Sequence, residues 1–141
     1  MDLSLVPLEP RDPDLPRVEA LHREPSAARY FPLSPAWFAD GAERPEIVYY
    51  KIMEGDRLLG GILGELEDGV LSLRVCVGEA WRRRGIAYAA LRALLESLPE
   101  GIARAEARVD AEDLPALGLF EKLGFRRCGW AEGTLTYRRT L

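Results

Sequence analysis

The chain has 141 residues, of which 48% are hydrophobic and 30% charged, and its formal net charge is −4 at pH 7. This length and composition predict a single globular domain over residues 1–141 with a substantial core. The acidic charge argues against a general nucleic-acid-binding protein, which normally carries a basic face. No apolar stretch approaches membrane-spanning length, and the N-terminus lacks the pattern of a signal peptide, so we expect a cytoplasmic protein without membrane contact.

The first part of the chain predicts one strand and two helices. Residues 3–8 favour a strand, and residues 14–24 place apolar side chains on one face of a helix that Pro25 closes. A proline-rich stretch then leads into a short helix that contains Trp37 and Phe38. These elements come before any segment with a recognisable motif.

Three strands are predicted next, joined by two glycine-containing turns. Residues 47–54 and 57–67 form a hairpin around Gly55, which follows the usual turn chemistry. A second turn at Asp68-Gly69 leads into an apolar run, residues 71–77, that is typical of a buried strand.

The C-terminal half predicts two helices and three strands. Apolar residues spaced along one face indicate a helix that runs to Leu98. Residues 103–109 alternate small apolar with charged side chains, which suits a strand, although their Ala, Arg and Glu content suits a helix equally well. Residues 113–124 follow as a capped helix, and residues 125–130 and 134–140 make a closing hairpin.

The loop between the apolar strand and the first of these helices has the sequence Arg82-Arg83-Arg84-Gly85-Ile86-Ala87. A helix N-terminus leaves several backbone N–H groups unpaired, and the helix dipole and nearby arginines favour an anion there. Gly85 has no Cβ and therefore allows close approach to the backbone. The segment predicts a cradle for a phosphate or pyrophosphate, with a solvated surface turn as the alternative.

The second motif is the helix of residues 113–124. Asp113 is suited to the N-cap, Pro115 is tolerated in the first turn, and Gly124 stands where a glycine commonly ends a helix. Phe125 follows directly.

Together the two motifs resemble the GCN5-related N-acetyltransferase (GNAT) superfamily. The first matches that family's Arg/Gln-x-x-Gly-x-Gly/Ala loop from Arg82 to Ala87. The second matches its Asn-x-x-Ala-x-x-Leu-Tyr-x-Lys-Leu-Gly-Phe helix at Ala116, Leu119, Lys122, Leu123, Gly124 and Phe125. The resemblance is sharpest over residues 70–130, and the predicted element order β-α-α-β-β-β-α-β-α-β-β is the one a GNAT fold requires.

This resemblance implies an α/β (α+β) fold with a mixed central sheet of about seven strands, helices on both faces, and splayed strands that bind acetyl-CoA. Pantetheine would fill the splay and pair with the backbone of Val75, Cys76 and Val77, as an added strand does. The coenzyme A pyrophosphate would lie on the loop residues Arg82, Arg83, Arg84, Gly85, Ile86 and Ala87.

Two positions depart from the family pattern. Asp113 stands where the family has Asn, so it can cap the helix but cannot donate an amide hydrogen bond to pantetheine. Phe120 stands where many members have Tyr, whose hydroxyl protonates the departing thiolate. That general acid is absent here, and Phe120 is expected to pack against pantetheine or the core.

The general base is also open. The family position that carries a carboxylate in some members is Leu71 here, and Glu65 is the proposed alternative, with Glu67 and Glu79 behind it. His22 would border the acceptor cleft only if the first helix lines that cleft. Three further residues are candidates for the acceptor pocket or for the core: Tyr49, Tyr50 and Tyr137.

The favoured function is therefore an acetyl-CoA-dependent N-acetyltransferase that acts on a primary amine of a small molecule, a peptide or a protein. The alternative is an acyl-CoA-binding or sensor module that kept the cradle and lost the chemistry. The expected partners are acetyl-CoA and an amine acceptor, and a homodimer stays open. Cys76 and Cys128 lack disulfide or metal-ligand spacing, so no metal site is predicted.

Overall fold

The computed structural model describes residues 2–34, 37–38 and 44–141, which include a seven-stranded mixed sheet in the order β1-β2-β3-β4-β5-β7-β6. Only β4 and β5 run parallel, and every other neighbouring pair is antiparallel. The predicted mixed sheet is confirmed. The strands are β1 Ser4–Pro7, β2 Ile47–Glu54, β3 Arg57–Glu67, β4 Val70–Val77, β5 Arg104–Asp110, β6 Arg126–Ala131 and β7 Thr134–Thr140.

Four helices accompany the sheet in the described part of the chain: α1 Leu15–Arg23, α2 Pro25–Tyr30, α3 Ile86–Glu96 and α4 Leu114–Lys122. The prediction for Pro25 is only half right. Glu24 is extended and ends α1, but Pro25 then opens α2, because a proline at the first helical position loses no hydrogen bond. The short helix predicted around residues 37 and 38 falls largely outside the described residues. None of these four helices is long and apolar enough to cross a membrane.

The helices cover both faces of the sheet, as expected. On one face α3 and α4 pack against the inward side chains of the central strands, with Leu73 and Leu91 almost fully buried. On the other face α1 and α2 pack against β2 and β4 in a smaller core that contains Val18, Tyr49 and Cys76. The central strands β2, β3 and β4 therefore have apolar environments on both faces, which explains their high content of hydrophobic residues.

The parallel pairing of β4 with β5 is short and positions the site. The two strands pair only from Val70 with Arg104 to Ser72 with Glu106. Beyond Ser72 they separate, while β4 continues to pair with β3 up to Val77. The expected splay is therefore present, with its closed end at Ser72.

A buried ion-pair cluster attaches the N-terminal segment to β2. The Lys51 ammonium lies 2.9 Å from Asp12 and 2.8 Å from Asp14, and the Lys51 and Asp12 side chains are 7% and 4% exposed. Burial alone would raise the pKa of Asp12, but the hydrogen bonds from Lys51 and from backbone N–H groups lower it overall. The pKa of Asp14 is lowered mainly by its hydrogen bond with Lys51.

Candidate active site

A cleft of about 620 Å³ opens where β4 and β5 separate. It is lined by α2 and the residue after it, the end of β4, the β4–α3 loop with the first turn of α3, and α4 with the loop before it. The structure brings these predicted residues together along its wall: Val75, Cys76, Val77, Arg82, Arg83, Gly85, Ile86, Ala87 and Asp113.

The loop before α3 presents unpaired backbone donors to this cleft. Gly85 is the N-cap with φ +73°, a left-handed conformation that strains any residue with a Cβ. No side chain caps the helix, and its first internal hydrogen bond runs from the Ala89 N–H to the Gly85 carbonyl. The N–H groups of Ile86 to Tyr88 are therefore left for a ligand, at the positive end of the helix dipole.

The three arginines of the loop have different surroundings. The Arg82 side chain donates to the Val77 carbonyl at 3.2 Å and to the Ser26 hydroxyl at 3.0 Å, so it connects β4 and α2 beside the cleft. Arg83 also lines the cleft. Arg84 is not among the lining residues, and its guanidinium lies 5.5 Å from the Trp81 ring centroid. Of the three loop arginines, Arg82 and Arg83 therefore bring positive charge to the cleft wall, to which Lys122 of α4 also belongs.

The end of β4 supplies the second feature, a strand edge without a partner strand. Val75, Cys76 and Val77 line the cleft, and β5 offers them no partner because the parallel ladder ends at Ser72. Backbone groups on an edge of this kind can pair with an extended ligand.

Asp113 lies at the opposite wall, at the start of α4. Its side-chain oxygen accepts a hydrogen bond from the Ala116 N–H at 3.4 Å, so Asp113 caps the helix. Burial raises the pKa of Asp113, and that N–H bond opposes the rise. Its place at the cleft and its role as a cap are therefore compatible.

Three aromatic residues that the sequence singled out lie in the core rather than along the cleft. Phe120 is only 3% exposed and packs edge to face on Phe125, with 5.1 Å between the ring centroids. Of its two expected environments, the structure places it in the core, and it is not among the residues that line the cleft. Tyr50 packs against the same core, and the buried Tyr137 donates its hydroxyl hydrogen to Glu121 at 2.8 Å.

The candidate bases lie at the closed end of the splay. Glu65 on β3 pairs with Ser72, which in turn pairs with Glu106 on β5, so the three residues form one row across three strands. The row lies on the face of the sheet that carries α1 and α2, because the neighbouring Leu71 points into the opposite core. Glu65 does not line the cleft itself. The sequence reasoning missed Glu106, whose carboxylate accepts from Arg138 at 3.0 Å and whose position the alternation in β5 could have indicated.

The other reserve candidates lie elsewhere. Glu67 is exposed at the end of β3. Glu79 lies in the short turn after β4, where its N–H donates to the Glu24 carboxylate at 2.9 Å. Neither lines the cleft.

His22 does not line the cleft but contacts two residues that do, Phe31 and Cys76. Its Nδ1 lies 2.9 Å from the Phe31 carbonyl and its Nε2 lies 2.6 Å from the Tyr49 hydroxyl. A carbonyl only accepts, so Nδ1 carries the proton and Nε2 accepts from Tyr49. Cys76 completes the cluster with its sulfur 3.8 Å from Nε2.

Burial determines the charge state of this cluster. It lowers the pKa of His22, which the hydrogen bond with Phe31 only partly offsets, and it raises the pKa of Cys76 to about 12. The pKa of Tyr49 is also raised by burial, well above its usual value. At neutral pH the imidazole is uncharged and the thiol and phenol keep their protons. Cys76 is thus a poor nucleophile in this environment.

α2 and the residue after it form the wall that the sequence did not predict. Ser26, Tyr30 and Phe31 line the cleft, and an ion pair joins Arg29 to Glu112 on the opposite side. The sequence did not indicate α2, because a proline after a helix usually marks the end of helical structure rather than the start of another helix.

Comparison with solved structures shows the same arrangement of strands and helices in several acetyltransferases. An acetyltransferase from Thermus thermophilus is 26% identical with a TM-score of 0.79, over 100% of this chain and 98% of that one. The ribosomal-protein-S18-alanine N-acetyltransferase of Escherichia coli is 20% identical with a TM-score of 0.79, over 99% and 94%. Arabidopsis thaliana NAA60 in complex with acetyl-CoA is 18% identical with a TM-score of 0.78, over 99% of both chains.

No curated protein matches the chain. A family model does, and its description is "Acetyltransferase (GNAT) family". The match runs over residues 15–125, from α1 to the end of the second motif, and so includes the loop, the splayed strands and α4. The chain belongs to the GNAT acetyltransferase family.

Proposed function

We propose that this protein is an N-acetyltransferase that moves the acetyl group of acetyl-CoA to a primary amine. The observation that carries the proposal is the pairing of two features across one cleft. Free N–H groups at the start of α3 suit a pyrophosphate, and the unpaired edge of β4 suits the amide groups of pantetheine. The E. coli and Arabidopsis neighbours, an N-acetyltransferase and an acetyl-CoA complex, support this assignment.

In the proposed binding mode, the N–H groups from Ile86 to Tyr88 hold the pyrophosphate beside Arg82 and Arg83. Pantetheine then runs back along β4 from Val77 to Val75. The thioester lies beyond Val75, towards the closed end of the splay.

The chemistry proposed is direct transfer. The neutral amine attacks the thioester carbonyl carbon, a backbone N–H of β4 beside the thioester stabilises the oxyanion, and the C–S bond breaks to release the thiolate. The high pKa of Cys76 argues against an acyl-cysteine intermediate. A coenzyme A thiolate is a fair leaving group, because free thiols titrate near pH ~8.5, so the missing tyrosine hydroxyl lowers the rate without preventing transfer.

The amine's proton needs an acceptor, for which Glu65 is proposed first and Glu106 second. Both lie in the row at the closed end of the splay, so either can act through a water molecule. Glu65→Gln and Glu106→Gln separate them. The variant that lacks the base should lose turnover and change the alkaline-rising limb of the pH–rate profile while keeping its affinity for coenzyme A.

Titration calorimetry with coenzyme A and acetyl-CoA tests the binding step. A ligand at one hundred times its Kd should add about 2.7 kcal/mol to the free energy of unfolding. Gly85→Asp should abolish binding, because it puts a negative charge where phosphate must lie. Gly101→Asp is the matched control, since Gly101 also has a positive φ, of +95°, and open space around its Cβ position, but does not line the cleft. If millimolar coenzyme A gave no heat of binding and no shift in the melting temperature, the proposal would be refuted.

The alternative, an acyl-CoA-binding module without turnover, is favoured by one observation: Phe120 brings no hydroxyl to the site and is buried in the core. Release of free thiol from acetyl-CoA in the presence of an amine panel discriminates between the two functions. Binding without any release would support the module.

A further inference from the structure

The reacting end of the cofactor defines where the acceptor must lie. In the binding mode proposed above, the thioester lies between Val75 and the closed end of the splay at Ser72. The side chain in this stretch of β4 that faces away from the main core is Arg74. An acceptor amine that reaches the thioester from the α1–α2 face must therefore pass Arg74.

A second arginine lies level with Arg74 on the other side of the splay. Ala105, Ala107 and Val109 of β5 are buried in the core with α3 and α4, so the residues between them face the same way as Arg74. Ser72 is the register partner of Glu106, which places Arg108 opposite Arg74 where the strands have separated. Both arginines are exposed.

Neither arginine forms an ion pair with another residue in the described ranges. The nearest carboxylates on β5 are engaged: Glu106 accepts from Arg138, and Asp110 accepts from the Glu112 N–H at 2.8 Å. The positive charge of the two guanidinium groups is therefore available to a ligand.

Arg74 is also held in place. Its guanidinium carbon lies 5.6 Å from the centroid of the Phe31 ring, in a cation–π contact. The Phe31 carbonyl accepts from His22, which in turn accepts from Tyr49, so the residue beneath Arg74 is tied to both α1 and β2. Phe31 itself lines the cleft. Such preorganisation lowers the entropic cost of binding.

We propose that the acceptor is an amine that also carries a carboxylate, and that Arg74 with Arg108 binds this carboxylate. A guanidinium matches a carboxylate by two parallel hydrogen bonds, which a neutral or cationic amine cannot form. The amino group would then lie beside the thioester, and Phe31 would cover the carbon chain between the two ends. This inference rests on the proposed acetyltransferase function and names its substrate class.

A panel of amines matched in length tests it: glycine, β-alanine and 4-aminobutyrate, each against its own carboxamide. The readout is the ratio of kcat/KM for the acid to that for the amide, with each kcat/KM expressed per concentration of the neutral amine that attacks. In the wild type the best pair should show a ratio of about 10 to 100, the range expected for charge-assisted hydrogen bonds. Arg74→Gln and Arg108→Gln should each bring this ratio towards one.

Arg104→Gln is the matched control. Arg104 is exposed on the same strand and face, but it lies where β4 and β5 still pair. This variant should keep the wild-type ratio. A wild-type ratio near or below one, or equal ratios in all four proteins, would overturn the proposal.

Calorimetry distinguishes a wrong substrate class from a wrong assignment of the acetyltransferase function. The same acids and amides are titrated into protein saturated with coenzyme A, where binding needs no turnover. Acids that bind the wild type more tightly than their amides, and lose this advantage in Arg74→Gln, support the inference even for a protein without turnover. Tight coenzyme A binding with no preference for the acids would refute the substrate class and leave the cofactor assignment standing.

Discussion

Gly61→Ala should lower the free energy of unfolding, because the sheet has no room for a methyl group at this position. Gly61 lies on β3 opposite Cys76, and the ring of Tyr49 from β2 lies across it. A Cβ at this position would meet the Tyr49 ring, 2.8 Å from Cε1 and closer still to Cζ and the hydroxyl oxygen. The absence of a side chain at Gly61 is what lets the tyrosine hydroxyl reach His22.

The expected loss of stability has two parts. Forcing a methyl group into this packed site costs about 1–3 kcal/mol, because the ring or a strand must move. Displacing the ring also breaks the hydrogen bond between Tyr49 and His22, which contributes about 1 kcal/mol and leaves a buried nitrogen without its partner. A total of about 2–4 kcal/mol is a large share of the 5–15 kcal/mol typical of natural domains.

Urea unfolding of the wild type and the variant measures this loss. Gly118→Ala is the control, because a Cβ there meets nothing within 4 Å, and alanine in a helix should raise stability by up to about 1 kcal/mol. The double variant Gly61→Ala/Tyr49→Leu should lose much less than the two single losses added together, since the leucine removes the obstructing ring. Simple additivity, or a Gly61→Ala protein as stable as the wild type, would refute the reasoning.

Three further results are expected. Lys51→Met should lower the free energy of unfolding by about 3 kcal/mol or more, because it leaves the Asp12 carboxylate buried without its cation and leaves Asp14 with only Arg17, and denaturant titration measures this. Since the pKa values of Asp12 and Asp14 are lowered in the folded state, the stabilisation from their ionised forms should be present above about pH 4 and disappear as the pH falls through those lowered values. Unfolding curves from pH 7 to pH 2 should therefore converge for wild type and Lys51→Met. Phe120→Ala should cost about 3–5 kcal/mol by the same assay, and a loss below about 1 kcal/mol would mean that the ring is not packed in the core.

The elements that the sequence predicts correctly are those whose signal is local. The β2 and β7 bounds follow from alternation and turn chemistry within each hairpin, which act over a few residues. Gly85 and Gly124 both adopt the positive φ that a loop or a helix end requires. The sequence leaves residues 103–109 open between strand and helix, because their alternation suits a strand and their propensities suit a helix. In the structure Arg104–Asp110 form a strand, since Ala105 and Ala107 are buried in the core beneath the sheet.

The sequence by itself determines the loop before α3, since a glycine flanked by arginines at a helix start needs no distant contact to present its N–H groups. Only the tertiary structure decides which side chains share the cleft. Phe120 is in register with the family motif, yet packing against Phe125 takes its ring into the core. His22 comes together with Phe31 and Tyr49 through the docking of α1 and α2 on the sheet. The contact between His22 and Tyr49 joins residues 27 positions apart, and it depends on how α1 docks on β2, which no local pattern encodes.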